Sequence, residues 1–198
     1  VFAAHGLTVG SLFSRIAELR LAMGLSEAEL GLALVGVPAG VFAGSLLVSG
    51  VIERRGTRPT LLAALPFFAV GLVLASLAIG TATLFAALVL FGFSLTSCNV
   101  TMNVEADRVE AATGQRFINR CHAVWAVGFL AATLIGTAVV AAGVPPTVHF
   151  LGMLAVTLAI TVTVVLPMQE SPPRAHRGGG PSRRFAVPTL GVLLIVGF

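Results

Sequence analysis

Short arginine-bearing turns divide the sequence into apolar runs of about twenty residues, and this alternation limits the fold more than any single motif does. The sharpest instance is Ser49 to Thr60, SGVIERRGTRPT, which gathers Glu53, Arg54, Arg55 and Arg58 around Gly56 between the apolar runs 30–52 and 60–79. As helix, each run covers a hydrocarbon slab of about 30 Å, and helix is the form in which a lipid-embedded segment satisfies its own backbone. Two such runs with a charged turn between them make a membrane hairpin whose turn stays in water. The 198 residues are 57% hydrophobic and 10% charged, and the mean hydropathy is +1.00. A water-soluble globule is excluded.

The charge is basic, with 12 arginines, no lysine and a formal net charge of +4. A nucleic-acid surface would interleave these arginines with aromatic residues, whereas here they sit in turns between apolar runs, which is the pattern of orientation in a bilayer. The turns 53–58, 106–120 and 169–184 hold 3, 3 and 4 arginines; the segments on the opposite side hold only Arg15 and Arg20. These three turns are therefore expected in the cytoplasm, with the first span running from inside to outside. The expected location is a bacterial-type inner membrane, spanned several times. No cofactor or metal site is expected, because Cys98 and Cys121 lie in or beside apolar runs without CxxC or Cys/His spacing and read as buried thiols.

Taken in order, residues 1–13 read as the end of a first span, with Gly6 and Gly10 one turn apart, and 14–25 as an exit segment. Ser26 and Glu29 form an S-x-x-E capping box at the start of span two. That span carries Gly36, Gly40 and Gly44 at four-residue spacing, a stripe that admits a second helix. Span three covers 60–79 with Pro66 inside. Span four begins near Leu84 and continues as helix beyond the bilayer to Ala112, with Gly114 placed to cap it. Span five, 119–142, has a second small stripe at Gly128, Ala132 and Gly136, and span six, 148–166, stops at Pro167. The composition then turns to Pro, Gly, Ser and Arg, the mark of a linker. The expected fold class is all-α and polytopic, with a six-helix bundle over 1–168, a cytoplasmic linker over 169–184 and the start of a second bundle over 185–198. Those last residues supply about 21 Å of helix, short of a full span.

The loop at 49–58 resembles the one between helices two and three of the major facilitator superfamily, G-x-L-x-D-R-x-G-x-R. Glu53 takes the acidic place, Arg54 the first basic place, Gly56 the glycine and Arg58 the last arginine; Ser49 stands where the first glycine is usual, and Glu53 replaces Asp. The stretch NVTMNVEADRVEAATGQRFINRCHAVWAVG and the earlier SLFSRIAELRLAMGLSEAELGLAL resemble fucose permease-like members of that superfamily. The resemblance implies the N-terminal half of a transporter whose two six-helix halves rock around a central cavity. Helices one and four would line the cavity, and helices two and five would meet the other half, for which the two glycine stripes are suited. In that branch an acid in helix four is associated with proton coupling; here the position is Asn99.

Polar groups inside a bilayer are costly and therefore candidates for function. Asn99 and Asn103 share a face of span four with Thr96, and amides can both donate to and accept from a hydroxyl-rich solute; interhelical bonding is the alternative. His122 and Trp125 share a face of span five with Phe129, where Trp can stack on a sugar ring and His can carry a proton, or both can serve as interfacial anchors. His5 is the strongly polar group of span one. Glu53, Arg54, Gly56, Arg58 and Arg108 read as a gating loop, with Glu53 and Arg108 pairing in one conformation and separating in the other.

The expected function is transport of a small solute, sugar-like or exported, with protons as the candidate coupling ion. The partners would then be the lipid bilayer, the solute and a C-terminal half of the same protein. The alternative is a non-transporting membrane scaffold or receptor, or an inactive transporter fragment. No HExxH, GxSxG, paired-carboxylate or nucleotide-binding motif points to an enzyme.

Overall fold

The computed structural model describes residues 1–169. The expected linker, with His176 and its four arginines, and the seventh helix lie outside the described residues. The described chain is helical throughout its ordered elements: α1 (Phe2–Phe13), α2 (Ile16–Ala22), α3 (Glu27–Leu34), α4 (Gly36–Arg55), α5 (Thr57–Ser76), α6 (Thr81–Thr113), α7 (Ile118–Ala141) and α8 (Pro146–Ile160), which continues into a π-turn at Thr161–Val165. Among the described residues, five helical stretches are long and apolar enough to cross a bilayer: Glu27–Arg55, Thr57–Ser76, Thr81–Thr113, Ile118–Ala141 and Pro146–Val165. The protein is an all-α, multi-pass membrane protein. α1, the expected first span, is shorter.

Local chemistry accounts for the helix ends. The Ser26 hydroxyl accepts from the Glu29 amide at 3.3 Å, and the Glu29 carboxylate accepts from the Ser26 amide at 2.9 Å, so the capping box forms as read. α4 and α5 meet at a single residue, Gly56, with φ at 86°, a conformation that a side chain would strain. α5 begins at Thr57, three residues before the expected start, because Pro59 falls in its first turn, where a missing amide hydrogen costs nothing. α6 has 33 residues, about 50 Å of helix, and ends on Gly114 in the left-handed conformation, as the sequence predicts. The Glu110 carboxylate then accepts from the amides of Phe117 and Ile118 at 2.5 and 2.7 Å and so caps α7.

Within the expected exit segment 14–25, Ile16–Ala22 form α2, and the Arg15 side chain is fully buried, with its Nε donating to His149 at the start of α8.

Two crossings organise the bundle. α4 runs along α6, where a Cβ on Gly40 would lie 2.1 Å from the Val89 carbonyl oxygen, and one on Gly92 would lie 2.1 Å from that of Val37. α1 runs along α7, where a Cβ on Gly6 would lie 2.2 Å from the Trp125 carbonyl oxygen, and one on Gly128 would lie 2.6 Å from that of Ala3. Both glycine stripes are thus used inside the described bundle, against α6 and α1. The faces turned away from them carry exposed Phe42, Leu46 and Leu47 on α4, and Val127, Leu130 and Leu134 on α7. α5 packs on α6 and α8 and supplies the centre of the core, with Leu65, Phe68 and Leu72 buried beside Phe91, Leu88 and Phe150. Phe68 and Phe91 meet at 4.5 Å between ring centroids. Cys98 is a buried free thiol in this core, and Cys121 is a half-buried one.

Candidate functional site

The closeness of α1 and α7 brings a polar chain into the core. The indole Nε1–H of Trp125 donates to His5 Nδ1 at 2.7 Å, and His5 Nε2 lies 3.1 Å from the Leu95 carbonyl oxygen. Indole nitrogen is only a donor, so Nδ1 accepts, and the ring proton sits on Nε2, where it donates to Leu95. The imidazole also stacks on Phe68 at 5.0 Å and is 1% exposed. His5 therefore joins the first, third, fourth and fifth spans, with both ring nitrogens occupied in this conformation. Trp125 is half-buried and stacks on Phe129 at 5.6 Å. His122 stands apart from them, exposed and edge-on to Phe2.

Asn99 lies one turn beyond Leu95 on α6 and is half-buried, as is Asn103. The Asn103 side-chain nitrogen donates to both the backbone carbonyl and the side-chain oxygen of Asn99, each at 2.8 Å. This leaves the amide nitrogen of Asn99 and the amide oxygen of Asn103 without a protein partner among the described residues: a donor and an acceptor side by side on a spanning helix. Thr96, expected on the same face, is buried, and its methyl group is turned to Gly44 on α4.

The arginine-rich loop is tied down at two points. Arg58 donates through Nε and Nη2 to the Leu166 carbonyl oxygen at 3.0 and 2.7 Å, where its charge meets the carbonyl end of the last described helical turn. The Glu105 carboxylate accepts from the Thr57 hydroxyl at 2.6 Å and from Arg108 Nη1 at 2.8 Å, which links the start of α5 to the lower part of α6. Arg108 thus pairs with Glu105 here. Glu53 and Arg54 are exposed and make no ion pair among the described residues.

Two contributors escaped the sequence reading. Glu105 precedes Arg108 by three residues, a spacing that does announce a helical ion pair, but Thr57 as its second partner is visible only in the fold. Arg15 has Glu18 at the same spacing, which looks like a solvated pair; the structure instead buries Arg15, with Nη1 paired to Glu18 and Nε donating to His149 Nδ1 at 3.2 Å. Arg15 Nη2 and His149 Nε2 have no protein partner among the described residues. His149, half-buried at the start of α8, completes this cluster.

No protein-family model matches the chain. No solved structure matches it. The chain is similar to an uncharacterized MFS-type (major facilitator) transporter of Yersinia pestis, at 31% identity over 144 residues. That alignment takes in 73% of this chain and 35% of the relative, so the chain spans about a third of the length of the curated relative it matches.

Proposed function

We propose that this chain is the N-terminal six-helix half of a major facilitator superfamily carrier. The carrier moves a small polar solute across a bacterial-type inner membrane by alternating access and is not an enzyme. The observation that carries this reading is the amide pair Asn99 and Asn103, half-buried in a spanning helix with one donor and one acceptor open. An unsatisfied amide in hydrocarbon costs several kcal/mol, at the upper end roughly 4 to 8, so such a pair on a lipid-exposed face would be selected against unless water or solute reaches it. The MFS-type relative supports the class, and the loop resemblance at Glu53, Arg54, Gly56 and Arg58 supports the placement of the half.

Within this reading the amides bind solute hydroxyls. Trp125, joined through His5 to Leu95 one turn before Asn99, offers a ring face for the solute, and His122 is a further candidate contact. His5 holds the wall rather than the solute, because both its nitrogens are engaged. The fucose permease-like branch and a sugar-like solute follow from the resemblance in the fourth and fifth spans. Glu53 pairs with Arg108 only in another conformation, in which Arg108 has left Glu105.

The test is uptake by the full-length protein in proteoliposomes over a panel of sugars and other small polar solutes, with and without a pH gradient. Asn103→Ala should weaken uptake at least about tenfold, because it removes the open acceptor and the hydrogen bond that orients Asn99. Wild-type protein should show no pH dependence arising at Asn99, and Asn99→Asp should introduce one. Uptake that is indifferent to both substitutions would remove the amides from the pathway.

A further inference from the structure

We propose that the groove between α4, α5 and α6, at the end of the bundle marked by the arginine-rich turn, holds one acyl chain of an anionic phospholipid whose phosphate rests on Arg55 and Arg54. The groove has a volume of about 310 Å³, and its walls are Val48 and Val51 from α4, Ala63 and Phe67 from α5, and Leu90 and Phe93 from α6. Two of its three hydroxyls are satisfied by the backbone, Ser97 donating to the Phe93 carbonyl oxygen at 2.7 Å and Thr60 to that of Gly56 at 2.8 Å, and Ser94 is the one hydroxyl of the trough left without a side-chain hydrogen bond among the described residues. Water in such a groove would find few partners, whereas a hydrocarbon chain would lose nothing by entering.

The mouth carries the opposite chemistry. Arg55 lines the groove, and a second depression of about 450 Å³ beside it is lined by Arg54 and Arg55 together with Val51 and Phe93. Both arginines are exposed, and neither has a carboxylate partner among the described residues. Two planar guanidinium groups at the head of an apolar trough of membrane depth match a phosphate diester above an acyl chain, because each can offer parallel N–H donors to phosphate oxygens. Charge therefore selects an anionic lipid over a zwitterionic one, whose own ammonium would be pushed toward the two arginines. This inference rests on the groove and not on the transport reading.

The experiment uses the full-length protein exchanged into vesicles of phosphatidylglycerol or of phosphatidylcholine, extracted gently, with bound lipid counted by native mass spectrometry. Wild-type protein should retain phosphatidylglycerol in preference. The preference should fall about fivefold for each of Arg54→Gln and Arg55→Gln, the fold-change expected for one arginine at a charged surface. Ala63→Phe, which fills the trough from an exposed position on α5, should lower retention of both lipids, and Arg116→Gln, in a different turn, should leave it unchanged. Equal retention of the two lipids, or a preference untouched by both arginine substitutions, would overturn the proposal. So would an Ala63→Cys thiol shielded from a membrane-soluble maleimide in protein that retains no phospholipid, since another part of the protein would then occupy the groove.

Discussion

The two glycine crossings differ in chemistry although they share a geometry. Where α4 meets α6, contact is backbone against backbone, with Gly36, Gly40 and Gly44 stepping past Phe85, Val89 and Phe93 one turn at a time, and the nearest polar side chain, Thr96, presents a methyl group. Where α1 meets α7, Gly6 and Gly10 step past Trp125 and Phe129 in the same way, but a hydrogen-bonded relay from Trp125 through His5 to Leu95 is added. The first crossing is held by van der Waals contact and has no directional bond. The second is pinned to one register by donors and acceptors. Both are parallel, since the facing residue numbers rise together. Exchanging the first three spans for the last three turns the pair one and five into the pair four and two, which is the relation expected of an inverted repeat.

The comparison can be broken first at its steric core. Gly40→Leu puts a side chain where the Val89 carbonyl oxygen stands 2.1 Å from a bare Cβ, and no rotamer relieves a backbone clash. A loss of about 3 kcal/mol or more is expected, read as failure to recover monodisperse full-length protein. The polar relay answers next. His5→Ala leaves a cavity and an unpaired indole N–H, and about 2 kcal/mol should be lost in denaturant unfolding in detergent. Trp125→Phe removes the donor and part of the ring but keeps an aromatic face, and should cost about 1 kcal/mol. The double variant should fall short of the sum, because the two substitutions delete one bond. The smallest effect belongs to the loop: Thr57→Val removes the hydroxyl from Glu105 while Arg108 remains, so about 1 kcal/mol or less is expected from the same unfolding measurement.

Much of the fold was legible because its signals are local. The Ser26–Glu29 box, the turn at Gly56 and the cap at Gly114 each need one residue type at one position, and each is found where the sequence puts it. The glycine stripes were visible too, since four-residue spacing states that some helix approaches closely. It does not state which helix, and the expectation that these stripes serve a second half gives way to neighbours within the described bundle. Arg15 was missed because Glu18 at three residues satisfies a surface reading, while His149 is brought to it only by packing. In the candidate site, the Asn99–Asn103 pairing follows from helical spacing. The engagement of His5 does not, because its partners come from two other spans.

The central claim is that the spans pair in parallel, second with fourth and first with fifth. It is tested most directly by the sidedness of single cysteines in the full-length protein, labelled with an impermeant maleimide in cells and in inverted vesicles. Arg55→Cys, at the end of α4, and Gln115→Cys, just past the end of α6, should label from the same side, with Ala82→Cys and Ala142→Cys both labelling from the other. Labelling of Arg55→Cys and Gln115→Cys from opposite sides would make α4 and α6 antiparallel and contradict the account.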